Sequence, residues 1–381
     1  AIIQAIGFFF GHGSGNFLSR MLGAGKVKKA NEMASTGFAL AIISGLTVAI
    51  LGNIFIDELV NLIGATKGSA ADTKSYMQII LIGAPFMMAQ FVVNNQLRFQ
   101  GSAMYAMIGL CFGAVVNVGL DPLLIFTFDM GVKGAAIATV AGQAVSFVAL
   151  LIGSFRGENI HLNIKNVKIN KYYLLEVING GSPSLLRQGL AAISTVCLNR
   201  SAGRLGGDPA IAGMSVVTRV MMILACVIIG FGQGYQPVCS FNYGANLKSR
   251  VKEGYFFCVK YGTIFFLFLS VICFLFTPEI IRIFRNDPKV IEVGVKALRF
   301  QALTLPLNAT IVITNMMLQS TGHGLKGSIM ASAKNGIFFL PMIFILPAIW
   351  GITGVEAAQA VADVCAFILS IPMAWSELKK M

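Results

Sequence analysis

The run GTIFFLFLSVICFLF at residues 262–276 contains no charged side chain, and IFFLPMIFILPAI at 337–349 repeats the pattern. A helix crosses a bilayer with about 20 consecutive apolar residues, and runs of this kind are the cores of such helices. Working outward, the whole chain of 381 residues is 56% hydrophobic and only 12% charged. Its mean hydropathy is +0.77. An average soluble domain carries roughly 25% charge. A water-soluble enzyme, a disordered chain and a secreted disulfide scaffold are excluded, because none covers so much apolar surface. The sequence predicts an all-α polytopic membrane protein. Strands are not expected, since open sheet edges cannot face lipid.

The apolar periodicity predicts a partial helix over 1–20. Full ones are expected over 34–56, 75–97, 102–127, 132–155, 174–203, 209–238, 254–276, 290–319, 325–349 and 352–375. The net charge is +13, which in a soluble protein would suggest nucleic acid. Here the basic residues fall in short loops, and fifteen of them lie on one side of the predicted spans, among them Lys26, Lys28, Lys29, Lys165, Lys168 and Lys326. Seven lie on the other side: Lys67, Lys74, Lys133, Arg204, Arg282, Arg285 and Lys289. The richer side is cytoplasmic by the positive-inside rule. A multi-pass protein of the cell inner membrane is therefore expected, in contact with lipid and small molecules, without nucleic acid, as a monomer. The seven cysteines lie mostly in spans and form no CxxC pair, so they read as reduced packing residues.

The chain also repeats itself. GHG at 11–13 pairs with GQG at 232–234, Phe55 with Phe276, Glu58 with Glu279, Pro85 with Pro306, Asn94 with Asn315 and Gly101 with Gly322, all 221 apart. Later GVKG at 131–134 pairs with GITG at 351–354 at an offset of 220. One repeat holds six spans, an even number, so both halves run the same way and are expected to be related by an axis along the membrane normal. The halves are an N-terminal lobe over 1–155 and a C-terminal lobe over 172–381, joined by the cytoplasmic linker RGENIHLNIKNVKINK at 156–171. Residues 172–221 find no partner in the first half. The expectation is a preceding segment of roughly 60 residues that supplies the first helix and the start of the second.

GHGSGNFLSRMLGAGK at 11–26 and GFGQGYQPVCSFNYGAN at 230–246 open equivalent basic loops. Both resemble the multidrug and toxic compound extrusion (MATE) transporters, and the likeness extends over the six-plus-six layout and the basic linker. It implies two six-helix bundles and export of cationic or amphipathic molecules, driven by inward H⁺ or Na⁺, with no other cofactor. A lipid or lipid-linked oligosaccharide flippase of the same wider superfamily is the alternative. A membrane-embedded enzyme needs clustered interfacial acids or histidines, and a pore needs polar residues along one span; neither pattern occurs. GAGK at 23–26 lacks the spacing of a phosphate-binding loop, and no metal motif is present.

Acids inside spans are costly and functional by default. Asp121 lies towards the outer end of 102–127, Asn117 is four residues before it on the same face, and Pro122 offers no N–H to the carbonyl of Val118. This set suits a proton or a small hard cation; a helix-end acid satisfied by interfacial water is the bland reading. The resemblance implies an Asn–Asp pair four apart on the fifth helix and a Thr on the sixth, which Asn117, Asp121 and Thr139 match; Na⁺ at Asp121 is the one metal it allows. Lys334 and Asp363 each lie about ten residues into adjacent spans and are expected to face each other, as a structural ion pair or in proton or substrate handling. Arg187, Arg219 and Gln143 are candidates for lining the cavity, with lobe-stabilising contacts as the alternative for the arginines. No acid lies in the middle of 174–203, so the family's second-lobe sodium site is not expected. His12 reads as a packing residue, and Pro85, Pro306, Pro341 and Pro347 as kinks.

Overall fold

The computed structural model describes residues 2–63, 68–156 and 159–381, and among them there is no strand. Lys67 and residues 157–158 of the linker, which entered the charge and domain reading, lie outside the described residues. The chain divides into two compact units, Ala1–Gly181 and Ser182–Met381.

The first unit contains α1 (Ile2–Gly23), α2 (Val27–Ile54), α3 (Ile56–Ile63), α4 (Ala70–Ile82), α5 (Ala84–Phe99), α6 (Ala103–Pro122) and α7 (Gly131–Ser154). Its last residues begin α8 (Lys171–Gly244). Small residues decide how α1 packs. A Cβ on Gly7, Gly11 or Gly15 would lie under 3 Å from Phe91, Asn95 or Phe99 of α5. Glycines at i, i+4 and i+8 thus make one flat face for a partner whose large residues share that period. Gly13 points another way, where a Cβ would meet the Val177 carbonyl of α8 at 2.4 Å. Pressed on both faces, α1 is buried from Gly11 to Arg20. Arg20 is neutralised by Glu176 at 2.9 Å, and His12 is fully buried and stacked on Phe8. The packing reading of His12 matches this placement.

The second unit holds the rest of α8, then α9 (Lys248–Leu275), α10 (Thr277–Phe284), α11 (Pro288–Thr304), α12 (Leu307–Ser320), α13 (Gly324–Ser332), α14 (Phe339–Trp350) and α15 (Ile352–Leu378). Its largest core gathers Met214, Val217, Leu298, Phe339 and Ile343 from α8, α11 and α14. Gly354 seats α15 against α14, where a Cβ would lie 2.3 Å from the Leu346 carbonyl.

The repeat read in the sequence reappears in local conformation. The helices α2 and α9 each have 28 residues and start 221 apart, and both end on a phenylalanine, Phe55 or Phe276, with φ −99. Gly101 and Gly322 take φ 90 and 85, a region that only glycine enters without strain. Asn94 donates to the Ala106 carbonyl at 3.0 Å, and Asn315 to that of Gly327 at 2.6 Å. Donor and acceptor shift by the same 221 positions.

The spans expected over 75–97 and 290–319 bend where kinks were expected: α4 meets α5 at 50° and α11 meets α12 at 57°. Pro85 and Pro306 lie at these bends, as their missing N–H requires. The helices expected over 174–203 and 209–238 are separated by a kink at Gly207, whose φ of 62 lets the chain turn there. The eight-residue α3 and α10 were not anticipated; each follows a long helix after a single-residue break.

Candidate functional site

Within the second unit a cavity of about 370 Å³ is lined by α8, α9, α11–α15 and the π turn between α13 and α14. Asp363 of α15 lies beside it and is completely buried. Burying a lone carboxylate costs several kcal/mol even after relaxation. Four groups offset that here. Lys334 Nζ lies 3.4 Å from Oδ1, and Gln359 Nε2 donates to the same oxygen at 2.9 Å. Asn308 Nδ2 donates to Oδ2 at 3.1 Å. The Thr304 hydroxyl lies 3.5 Å from Oδ2 and 3.2 Å from the Gln301 carbonyl, so its single proton serves one at a time.

Lys334 is aimed by its backbone. It sits in the π turn Ala333–Ile337, a wide turn with i→i+5 bonding that interrupts the ladder at functional sites. Its ammonium also donates to Asn308 Oδ1 at 2.5 Å. Asn308 therefore has a fixed orientation, oxygen to Lys334 and nitrogen to Asp363. The Lys334 side chain is 28% exposed and lines the cavity, whereas Asp363 stands behind it. The adjacent Asn335 accepts at its carbonyl from the Ser194 hydroxyl of α8.

Arg187 of α8 also lines the cavity and donates to Asn315 Oδ1 at 3.2 Å. Asn315 is locked by its own bond to Gly327, so its oxygen stays turned towards the guanidinium. Arg219 lies elsewhere in the unit, exposed in a separate pocket with Asp208, Phe284 and Arg285. Glu356, two turns before Asp363 on the same face of α15, was not singled out from sequence. It is 1% exposed and its Oε2 has no hydrogen-bond partner among the described residues. Its spacing of seven from Asp363 was the available signal.

In the first unit, α6 and α7 pack closely: a Cβ on Gly113 would lie 2.1 Å from Ser146 Oγ, and one on Gly142 would lie 2.9 Å from Asn117 Cβ. This places Asn117 on the α6–α7 interface. Asn117 Nδ2, on α6, and Gln143 Oε1, on α7, are each buried without a partner among the described residues. Asp121 is half-buried at the end of α6, where Pro122 is followed by a second π turn, Leu123–Thr127. Thr139 donates to the Ala135 carbonyl at 2.9 Å. No hydrogen bond among the described residues joins Asp121 to Asn117 or Thr139.

The family model described as MatE matches residues 1–123 and 183–345. The chain belongs to the MatE family. It is a multi-span membrane transporter and not an enzyme. The multidrug export protein MepA of Staphylococcus aureus strain MRSA252 is 29% identical over 364 residues, which are 95% of this chain and 80% of the relative. MepA of strain NCTC 8325 is 30% identical over 365 residues with the same coverage. A crystal structure of MATE in complex with MaL6 has a TM-score of 0.94 at 25% identity and covers all of this chain and 87% of its own. An outward-facing multidrug resistance MATE transporter of the MOP superfamily also scores 0.94 at 25% identity, covering all of this chain and 86% of its own. This MatE protein thus shares its fold over its whole length with known transporters.

Proposed function

We propose that this MatE protein is a secondary active antiporter that exports cationic or amphipathic small molecules in exchange for inward H⁺ or Na⁺. The observation that carries the reading is its similarity, over 95% of the chain, to proteins named for multidrug export. The flippase alternative is not favoured by this similarity.

Coupling is assigned to Asp121 with Asn117 and Thr139. The Asp121 carboxylate stands where Pro122 ends the α-helical ladder, and Asn117 one turn earlier keeps a buried amide nitrogen unpartnered. An ion or proton held there binds one conformation of the transporter better than the other and so shifts the equilibrium between them. Dye accumulation in cells that express the protein, with pH and Na⁺ gradients set separately, tests the reading. Efflux is expected to follow one of the two gradients; efflux indifferent to both refutes antiport.

A further inference from the structure

The geometry points to the cavity of the second unit as a binding site for amphipathic carboxylates, with Arg187 as the seat of the carboxylate. The starting point is charge. Among the described residues two charged side chains line the cavity, Arg187 and Lys334, and no acid does. Lys334 is already neutralised by Asp363 at 3.4 Å. Arg187 is not: its one hydrogen bond among the described residues goes to the neutral amide of Asn315, and none of its nitrogens is a buried orphan. One unit of positive charge is therefore left facing the cavity from within a membrane-spanning helix. Such a charge calls for a counter-ion.

The arginine is also held ready. Asn315 is fixed by its bond to the Gly327 carbonyl, so the guanidinium does not have to be ordered when a ligand arrives. Its planar fork matches a carboxylate with two parallel hydrogen bonds. A carboxylate carries the single charge that Arg187 lacks, whereas a phosphate monoester carries nearly two and Lys334 has none to spare. The rest of the wall is apolar, with Met221, Met222, Phe266 and Phe339. Methionines repack around unlike bodies, which suits a family of ligands sharing only a head group. The volume of about 370 Å³ lies at the low end of small-molecule sites, roughly 300–1,000 Å³. It takes an aromatic acid. A cation would meet Arg187 unscreened.

This inference uses the export reading only to regard the ligand as cargo; binding stands apart from it. The test uses the whole chain purified in neutral detergent and three probes with one fluorescent body: dansylglycine, its methyl ester and dansylcadaverine. Emission rises as the dansyl group enters an apolar site. The carboxylate is expected to bind at least about tenfold tighter than the ester, and the cation weakest. Arg187→Gln is expected to remove the difference, and Arg187→Lys, which keeps the charge but loses the fork, to retain part of it. Equal affinity for acid and ester, tightest binding of the cation, or an undiminished preference in Arg187→Gln would each overturn the assignment. The wild-type comparison needs no variant to fold. Competitive displacement of dansylglycine by phosphatidylglycerol would assign the site to the bilayer and overturn it too. Binding with the expected order in a protein that exports no dye keeps the site and removes the export reading; export without the order does the reverse.

Discussion

Replacing Asp363 by Asn removes the negative charge paired with Lys334. Breaking a buried ion pair from one side costs about 3–5 kcal/mol. The Lys334 ammonium is 28% exposed and keeps its bond to Asn308, so the lower end, about 3 kcal/mol, is expected. An amide at 363 cannot relieve this. Its nitrogen would meet Lys334 and Gln359 on one side, or Asn308 Nδ2 on the other, and Asn308 is held by Lys334. Lys334→Met strands a carboxylate with no exposure at all, and about 4 kcal/mol is expected. The double variant leaves no charge and should return to within about 1 kcal/mol of the wild type. Equilibrium unfolding in SDS mixed micelles, followed by the fluorescence of Trp350 and Trp375, measures all three. A loss below about 1 kcal/mol for Asp363→Asn, or a double variant equal to the sum of the singles, would refute the description of this pair as mutually compensating.

Asp121→Asn is expected to abolish gradient-dependent dye efflux at unchanged protein level; efflux equal to wild type removes Asp121 from the coupling. Gly354→Ala forces a Cβ to 2.3 Å from the Leu346 backbone and should cost about 2–3 kcal/mol of unfolding free energy. Gly119→Ala, with nothing within 4 Å, should be neutral or gain up to about 1 kcal/mol, and similar losses for both variants would contradict the packing described. Glu377 is 2% exposed and bound by Lys326 at 2.5 Å, His323 at 3.2 Å and Lys380 at 3.3 Å. Glu377→Gln should cost about 1–2 kcal/mol, and a variant as stable as wild type would show that the cluster holds nothing.

The large features were legible because they rest on hydropathy and on repetition. Phe55 and Phe276 close equivalent helices, and Pro85 and Pro306 mark equivalent bends, because each half had to solve the same backbone problem. The Lys334–Asp363 contact followed from depth alone: opposite charges at equal depth on neighbouring helices have few other partners. Its neutral members, Asn308, Thr304 and Gln359, were not legible, since an uncharged polar residue in a span signals nothing until its neighbours are known. IDELVNLI and TPEIIRIF, which form α3 and α10, are too short to read as spans and were absorbed into the loops. Arg219 resembled Arg187 in sequence but lies beyond the kink at Gly207, where it shares a pocket with Asp208 and Arg285.

The wide turn that carries Lys334 has a consequence for tolerance to indels. A π turn holds one residue more than the ladder around it needs, and each helical residue advances the side chains by about 100°. Losing a single codon from 335–337 would let the ladder close, leaving hydropathy and membrane insertion almost untouched. It would also swing the ammonium about a quarter of a turn away from its carboxylate. The protein would still be made and still span the bilayer, with its charge chemistry silently disconnected.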